Sequence, residues 1–161
     1  MEHIWSPWRL SYMTRKDKPT TCIFCEAIKQ KDGEDNLIVQ RGERAFAILN
    51  RYPYTSGHLM IVPNQHLPSL LDLDAPTLSD MMALMQQALH TIAALYQPEG
   101  FNVGANIGSC SGAGVAVHFH WHVVPRWGGD TNFMTTVGGA RVLPEDLQQT
   151  YQRIKDGWLS A

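Results

Sequence analysis

The sequence predicts an α+β fold: one antiparallel sheet of five strands with helices packed against it. Three observations support this prediction. Three short strand-like segments follow one another within the first 66 residues, and a long segment with the helical spacing of apolar residues comes after them. A chain of 161 residues with 44% hydrophobic residues also suits a single core. We therefore predict one domain over residues 1–161, with an amino-terminal arm over 1–20 and a carboxy-terminal segment over 135–161 that includes a terminal helix.

The first half of the chain alternates strand patterns with turn residues. Residues 22–31 predict a short helix, and strands are predicted over "NLIVQ" (36–40), "RAFAILN" (44–50) and "GHLMIVPNQH" (57–66). Only a few residues separate these strands, which favours antiparallel pairing between neighbours.

A long helix is predicted from Asp74, its N-cap, up to Pro98 and Gly100, which end it. Apolar residues recur along it at helical spacing, which is typical of a core-facing side, and we expect no cofactor role for them. These residues are Leu78, Met81, Met82, Met85, Leu89, Ile92 and Tyr96.

The second half of the chain predicts two more strands and a terminal helix. "FNVGANIG" (101–108) predicts a strand, "GSCSGAG" (108–114) a flexible loop, and "AVHFHWHVVPRW" (116–127) the last strand. Pro125 and the two glycines that follow Trp127 are expected to close that strand. The terminal helix is predicted over 144–157, opened by Pro144 with Glu145 and Asp146 in its first turn.

The last predicted strand carries a histidine at every second position, and because side chains alternate across a strand, the three imidazoles should share one face. The histidines are His118, His120 and His122, and Phe119, Trp121 and Val123 between them should point into the core. Three interpretations fit this pattern. They are a water-facing strand, a three-histidine metal centre with a bound water, and a nucleophilic imidazole whose neighbours fix its tautomer.

The composition excludes some classes of partner. The net charge of about −2 argues against broad electrostatic binding to nucleic acid or to an anionic membrane. The sequence has no apolar run of membrane-spanning length, and its first residues lack the pattern of a signal peptide, so we expect a cytoplasmic protein.

Three cysteines occur, Cys22, Cys25 and Cys110, and an odd number in such a chain does not suggest a disulfide framework. The two-residue gap in "CIFC" lets both thiolates reach one tetrahedral ion, although two ligands alone do not make a site. A redox role is weaker because no strand precedes the motif. A pair of reduced core thiols is the other interpretation.

"HFHWHVV" (118–124) fits the histidine triad signature, and the chain resembles the histidine triad (HIT) family of nucleotide hydrolases and transferases. The resemblance covers roughly residues 20–127, through "CIFC", "AFAILNRYPYTSGHLMIVPNQH" and the triad segment. "WSPWR" (5–9) and "PRWGGDTNFM" (125–134) resemble the branch of diadenosine tetraphosphate phosphorylases and hydrolases.

The resemblance implies roles for individual residues. His120 would be the nucleophile that forms a nucleotidyl-histidine intermediate, with the carbonyl of His118 fixing its tautomer, and His122 would contact phosphate. His58 would line the same pocket or simply end a strand, and Asn50 would hold the ribose or simply occupy a turn. The loop residues Asn106, Gly112 and Gly114 would lie over the phosphates, with Arg126, Trp127 and Asn132 near the polyphosphate tail.

The resemblance also implies a structural zinc ion held by Cys22, Cys25, His66 and His118, which disfavours the three-histidine centre because His118 is already used. It implies a homodimer in which two sheets join edge to edge. In the amino-terminal arm, Trp5, Trp8 and Arg9 would either fold over the nucleotide or dock on a neighbouring subunit.

The expected activity is nucleotidyl transfer from dinucleoside polyphosphates to water or phosphate. Arg9 and Arg126 offer two cations for a long phosphate chain. The alternatives are a nucleoside phosphoramidate hydrolase and a non-catalytic nucleotide-binding sensor or adaptor.

Overall fold

In a computed structural model, which describes residues 21–131, 135, 137 and 143–158, five strands form one sheet with three α-helices around it. The strands are β1 (Ile38–Arg41), β2 (Ala45–Leu49), β3 (Leu59–Pro63), β4 (Gly100–Gly104) and β5 (Trp121–Arg126). The helices are α1 (Ile23–Lys29), α2 (Ala75–Tyr96) and α3 (Leu147–Asp156), with short 3-10 turns at Leu70–Asp72 and Ser109–Ser111. The predicted α+β class and the five-stranded antiparallel sheet are confirmed.

The strand order is β1-β2-β3-β5-β4, and every neighbouring pair is antiparallel. β2 and β3 are buried along their whole length, because they lie inside the sheet and α2 packs on them. β5 is inserted between β3 and β4, which places His122 opposite Met60 on one side and Gly104 on the other. The histidine segment therefore enters the sheet between its central strand, β3, and its edge strand, β4.

The histidine segment becomes a strand later than predicted, since β5 begins at Trp121 and residues 116–120 precede it. The pairing stops at Ile61–Trp121 on the β3 side and at Gly104–His122 on the β4 side, so the chain before Trp121 belongs to neither ladder. It bonds to a loop instead: the Phe119 N–H donates to the carbonyl of Leu67 at 2.6 Å. Phe119 and Val123 are buried as predicted, whereas Trp121 is only partly buried.

The expectation that Pro125 closes the strand was wrong, since it lies inside β5 opposite Phe101 of β4. The β3–β5 pairing ends at Leu59 and Val123, so a proline at 125 has no ladder partner to lose on the β3 side. Its carbonyl accepts a hydrogen bond from the Thr55 hydroxyl at 2.9 Å.

The long helix forms where the sequence predicts it, and the Asp74 side chain caps it by accepting the N–H of Thr77 at 2.9 Å. Met81, Met85 and Ile92 are buried against the sheet. Met82 was wrongly assigned to the core: its exposed fraction is 50%, because a step of one residue from Met81 turns the side chain about 100° around the helix.

The terminal helix begins at Leu147, three residues later than predicted. Asp146 is its N-cap and accepts the N–H of Gln149, so Glu145 and Pro144 precede the helix and do not lie in its first turn. The Glu145 carboxylate instead joins Tyr96 at the end of α2 to Arg153 of α3. This network holds the two helices together.

α3 also covers the outer edge of the sheet. The Tyr151 hydroxyl donates to the carbonyl of Ile38 at 3.3 Å, and the Lys155 ammonium donates to the carbonyl of Val39 at 2.8 Å. Side chains thus occupy acceptors on β1 that another strand would otherwise use.

The predicted amino-terminal arm, with Trp5, Trp8 and Arg9, lies outside the described residues, as does Asn132. Within the part of the chain that is described, no helix combines the length and the apolar character needed to cross a membrane.

Candidate functional site

Four sulfur and nitrogen side chains from distant parts of the chain converge beside the start of the histidine segment. Cys22 Sγ lies 3.3 Å from His118 Nδ1, and Cys25 Sγ lies 3.3 Å from His66 Nδ1. The two Nδ1 atoms of the histidines are 3.3 Å apart, and all four ligand atoms lie within 4.8 Å of one another. We call these four residues the Cys/His cluster. The sequence-based set of metal ligands is therefore brought together.

The geometry of the Cys/His cluster fits a tetrahedral ion. Zn–N bonds of about 2.0–2.1 Å and Zn–S bonds of about 2.3 Å place tetrahedral ligand atoms about 3.3–3.8 Å apart. The distances in the cluster, 3.3 Å for three pairs of atoms and 3.7 Å for Cys25 Sγ to His118 Nδ1, match that range. Burial and the adjacent Cys22 raise the pKa of the Cys25 thiol, so a bound cation is needed to favour the thiolate form.

The second ring nitrogen of His118 is fixed by the main chain. His118 Nε2–H donates to the carbonyl of Pro63 at 2.9 Å, which leaves the lone pair on Nδ1, the atom that faces the cysteines. A ligating histidine held in this way by a backbone carbonyl is a common arrangement in metal sites. His118 is 1% exposed, so its orientation is set by packing as well.

His120 follows two residues later and is also oriented by a carbonyl. Its Nδ1–H donates to the main-chain oxygen of His118 at 2.9 Å, so the lone pair is on Nε2. Burial lowers the pKa of His120, which favours the neutral ring. A neutral imidazole with a directed Nε2 lone pair has the electronic form of a nucleophile.

His58 and His122 are joined by a chain of hydrogen bonds. The Tyr54 N–H donates to His58 Nδ1 at 3.2 Å, so the proton of His58 is on Nε2. His58 Nε2–H then donates to His122 Nδ1 at 2.9 Å, which places the proton of His122 on Nε2. The His122 ring lies 4.9 Å from the His120 ring, centroid to centroid. We call Tyr54, His58, His120 and His122 the histidine pocket: it offers one ring with a lone pair beside one ring with an N–H.

Asn50 lies beside the histidine pocket and is engaged in a turn. Its Oδ1 accepts the N–H of Tyr52 at 2.9 Å, as an Asx turn does. Its amide nitrogen is 3.5 Å from His58 Nε2, and since both atoms carry hydrogen in this tautomer the contact is not a hydrogen bond. Both interpretations of Asn50 are thus compatible with its position.

Two aromatic residues of the site were missed by the sequence analysis. The Phe24 ring contacts the rings of both His118 and His120, with centroids 5.3 and 5.1 Å apart, and so packs against one member of the Cys/His cluster and one of the histidine pocket. The Tyr54 ring lies 4.6 Å from that of His58 and stacks on that of His122. Phe24 lies between the two cysteines of "CIFC" in the sequence, so its closeness to the Cys/His cluster could have been predicted. No sequence pattern indicates that Tyr54 lies at the site.

Arg126 and Trp127 are not brought to the histidines. Arg126 is four residues beyond His122 on β5, about 13 Å at the usual rise of a strand. Its guanidinium pairs with both carboxylate oxygens of Asp130 and donates to Asn102 Oδ1. Trp127 lines a separate cavity of about 720 Å³, which shares Tyr54 with the histidine pocket. A contact of either residue with phosphate stays a prediction.

The loop that was expected over the phosphates is largely exposed, and two of its glycines have a positive φ. Gly108 and Gly112 both have φ of 83°, which non-glycine residues rarely adopt. Asn106 makes no side-chain hydrogen bond within the described residues, and Gly114 is exposed. The role of these residues over the phosphates also stays a prediction.

The HIT domain profile matches residues 31–129, a span that contains the whole histidine pocket and most of the sheet. The chain belongs to the HIT family. A curated HIT relative, named AP-4-A phosphorylase, from Mycobacterium tuberculosis (strain ATCC 25618 / H37Rv), is 40% identical over 166 residues, covering 98% of this chain and 85% of the relative.

Solved structures of HIT proteins share the fold. A Zn-bound histidine triad family protein from Mycobacterium smegmatis has a TM-score of 0.68 at 25% identity, covering 86% of this chain and 93% of that one. A hypothetical histidine triad nucleotide-binding protein from Sulfolobus tokodaii strain7 has a TM-score of 0.67 at 27% identity, covering 84% and 91%. The chain thus resembles both zinc-bound and nucleotide-binding members in architecture.

Proposed function

We propose that this HIT protein transfers a nucleotidyl group from a dinucleoside polyphosphate, through a covalent intermediate on His120, to phosphate or water. The observation that carries the proposal is the hydrogen bond from His120 Nδ1–H to the His118 carbonyl at 2.9 Å, because it directs a lone pair from Nε2. The similarity to a relative named AP-4-A phosphorylase supports the substrate class.

In the first step His120 Nε2 attacks the α-phosphorus. The N–P bond forms as the bond from that phosphorus to the bridging oxygen breaks, and the remaining nucleoside polyphosphate leaves. His122 Nε2–H, whose proton position follows from its bond with His58, is the donor that can stabilise charge on the phosphoryl or leaving oxygens. Positioning and charge stabilisation by neighbouring groups then supply most of the catalysis.

In the second step an acceptor attacks the same phosphorus and the N–P bond breaks, which restores the Nε2 lone pair. Phosphate as acceptor gives a nucleoside diphosphate, and water gives a monophosphate. A diadenosine tetraphosphate would therefore yield ATP with ADP or ATP with AMP. Nothing in the geometry of the histidine pocket selects between these acceptors.

The Cys/His cluster has the donor set of a structural zinc site, and Cys22, Cys25, His66 and His118 would hold the ion. Four protein ligands leave no coordination position for a substrate, so the ion would cross-link the chain and take no part in the reaction. The role of the cluster is positional: α1, the segment after β3 and the histidine segment are tied together immediately before His120.

The same pocket also suits two alternative functions. A nucleoside phosphoramidate offers the same α-phosphorus with a smaller leaving group, and a nucleotide-binding adaptor would keep the pocket with very slow turnover. Both alternatives use the same residues, so substrate assays separate them.

Trapping the intermediate tests the proposal. Wild-type protein mixed with diadenosine tetraphosphate and quenched in alkali should gain the mass of one adenylyl group on the peptide that contains His120, with a burst of one ATP per active site. Product analysis at millimolar phosphate then identifies the acceptor. Turnover without an adenylylated peptide or a burst would contradict the covalent route.

We also propose that the protein forms a homodimer through β4. α3 side chains occupy acceptors of β1, whereas β4 ends the sheet on the other side and exposes Asn102 and Val103. Pairing with a second copy would satisfy the groups on this edge. Light scattering should give twice the chain mass of 18.1 kDa, and Val103→Lys should reduce it, whereas Val117→Lys, in an exposed loop, should not.

The cytoplasm is the compartment we propose, because thiolate ligands persist in a reducing environment.

A further inference from the structure

The turn before β3, residues 54–58, supplies a donor on which the histidine pocket depends. Its Tyr54 N–H donates to His58 Nδ1 at 3.2 Å. The Tyr54 ring contacts the His58 ring, with centroids 4.6 Å apart, and stacks on the His122 ring. The path of this turn therefore decides both what His58 Nδ1 binds and which ring packs on His122.

A buried hydroxyl fastens the turn to β5. Thr55 is 7% exposed, and its hydroxyl donates to the carbonyl of Pro125 at 2.9 Å. The β3–β5 ladder ends at Leu59 and Val123, two residues before Pro125, so the Thr55 side chain supplies a donor where strand pairing has stopped. The residue next to Tyr54 is thus tied to the strand that carries His122.

Two connections join the turn to β5. One is the hydrogen bond from His58 Nε2–H to His122 Nδ1 at 2.9 Å, and the other is the bond from Thr55 to Pro125. His58 also has its own main-chain attachment, because the Asn50 N–H donates to its carbonyl at 2.9 Å. Loss of the Thr55 hydroxyl would therefore release the segment around Tyr54 more than it would release His58.

The direction of the hydrogen bond between His58 and His122 depends on the Tyr54 N–H. While that N–H binds His58 Nδ1, the proton of His58 is on Nε2, and His122 accepts at Nδ1 and carries its own proton on Nε2. Without it, the proton of His58 can lie on Nδ1. His58 Nε2 then accepts from His122 Nδ1–H, and His122 Nε2 carries a lone pair. Each ring keeps one proton, but the group offered to a phosphoryl oxygen changes from a donor to an acceptor.

We propose that Thr55 is a positioning residue for this donor: its bond to Pro125 holds the turn so that His122 presents an N–H to the substrate. The effect on turnover rests on the proposed function. The effect on the ring protons does not, because the hydrogen bonds that set them exist in the free protein.

Nitrogen NMR of the labelled protein without substrate tests the ring protons directly, because a ring nitrogen that carries hydrogen resonates apart from one that carries a lone pair. Wild-type protein should show His58 and His122 each with the proton on Nε2. Thr55→Val removes the hydroxyl and keeps the volume, and Thr55→Ala removes it without adding a methyl group. Both variants should show a mixture of tautomers, and Thr55→Ser should restore the wild-type pattern.

Steady-state kinetics with diadenosine tetraphosphate test the consequence for turnover. In Thr55→Val, kcat should fall about threefold to tenfold while KM changes less than about twofold, because the lost donor acts mainly on charge that develops in the transition state. Thr55→Ser should stay within about twofold of wild type, since it keeps the hydroxyl.

Tyr151→Phe is the matched control, because it removes another buried hydroxyl that donates to a main-chain carbonyl, that of Ile38 at the outer edge of the sheet. It should lower the melting temperature about as much as Thr55→Val and leave the ring protons and kcat unchanged. Wild-type tautomers in both Thr55→Val and Thr55→Ala would overturn the inference, as would an equal loss of kcat in the control. A wild-type protein that does not turn over the dinucleotide, with altered tautomers in the Thr55 variants, would instead overturn the proposed reaction.

Discussion

The Cys/His cluster and the histidine pocket both contact Phe24 and use neighbouring histidines of one segment, yet their hydrogen bonding differs. In the Cys/His cluster, four ligand atoms converge within 4.8 Å, so the set is closed around one point. In the histidine pocket, hydrogen bonds fix the proton positions of His58, His120 and His122 and leave a lone pair beside an N–H. In the proposed function, neighbouring histidines thus take a structural or a reactive role according to which ring nitrogen a main-chain carbonyl binds.

Replacing the proposed nucleophile should give the largest effect, and it should change the histidine pocket without changing the Cys/His cluster. His120→Asn is expected to lower turnover of diadenosine tetraphosphate by several orders of magnitude, because no covalent intermediate can form, while nucleotide binding and metal content persist. Steady-state kinetics and elemental analysis measure both. A variant within about tenfold of wild type, about 1.4 kcal/mol in barrier, would show that His120 is not the nucleophile.

Cys22→Ser should change the Cys/His cluster. The purified wild-type protein should contain close to one zinc ion per chain, and the variant should lose the metal together with several kcal/mol of stability, since metal binding contributes to folding. Calorimetric melting and elemental analysis provide the two readouts. Cys110→Ser, at an exposed cysteine outside the cluster, is the control and should change neither. Metal-free wild-type protein with full thermal stability would refute the structural role.

His58→Phe tests whether the hydrogen-bond chain matters apart from the nucleophile. Phenylalanine retains a ring beside Tyr54 but cannot donate to His122 Nδ1, so the proton position of His122 is no longer fixed. We expect kcat to fall about tenfold to a hundredfold, about 1.4–2.7 kcal/mol in barrier, because His122 Nε2–H is no longer directed at the phosphoryl oxygens, with zinc content unchanged. Equal kcat values for variant and wild type would assign His58 to packing alone.

The smallest expected effect is on stability and comes from the Arg126–Asp130 pair. The Arg126 guanidinium lowers the pKa of Asp130 to about 2, below its ordinary value of 3.8. A lowered folded-state pKa contributes stability above pH 3.8 that is lost as the pH falls toward 2. Asp130→Asn should therefore cost about 1 kcal/mol or less at pH 7, because Arg126 is half-exposed, and less as the pH falls. Urea unfolding at a series of pH values measures the difference; a constant difference between variant and wild type would exclude this linkage.

The sequence predicted the members of the Cys/His cluster well because they depend on side-chain chemistry. The two-residue gap in "CIFC" indicated Cys22 and Cys25, and the resemblance to the family supplied His66 and His118 as the other two ligands. The α2 boundaries were also predictable, since Asp74 is a side-chain cap whose effect is local.

Features that depend on distant partners were not predictable. Alternation extended the last strand back to residue 116, but the strand pairing stops at Trp121, and the Phe119 N–H bonds to the carbonyl of Leu67 in a loop. The pairing of Arg126 with Asp130 and Asn102 was not predicted, because nothing in the local sequence shows that these residues would bind it. Likewise, the role of Tyr54 depends on a turn that brings its N–H to His58.

The acceptor that orients His120 is a main-chain oxygen, and this has a consequence for how the protein tolerates change. Every residue that replaces His118 would still carry a carbonyl, so the hydrogen bond to His120 Nδ1 can be lost only if the chain at position 118 moves. A protein could therefore abandon its metal ligands one at a time and keep a reactive imidazole, provided that packing around Phe119 holds the path of the chain. The two sites are coupled by backbone geometry, and their side chains are free to diverge separately.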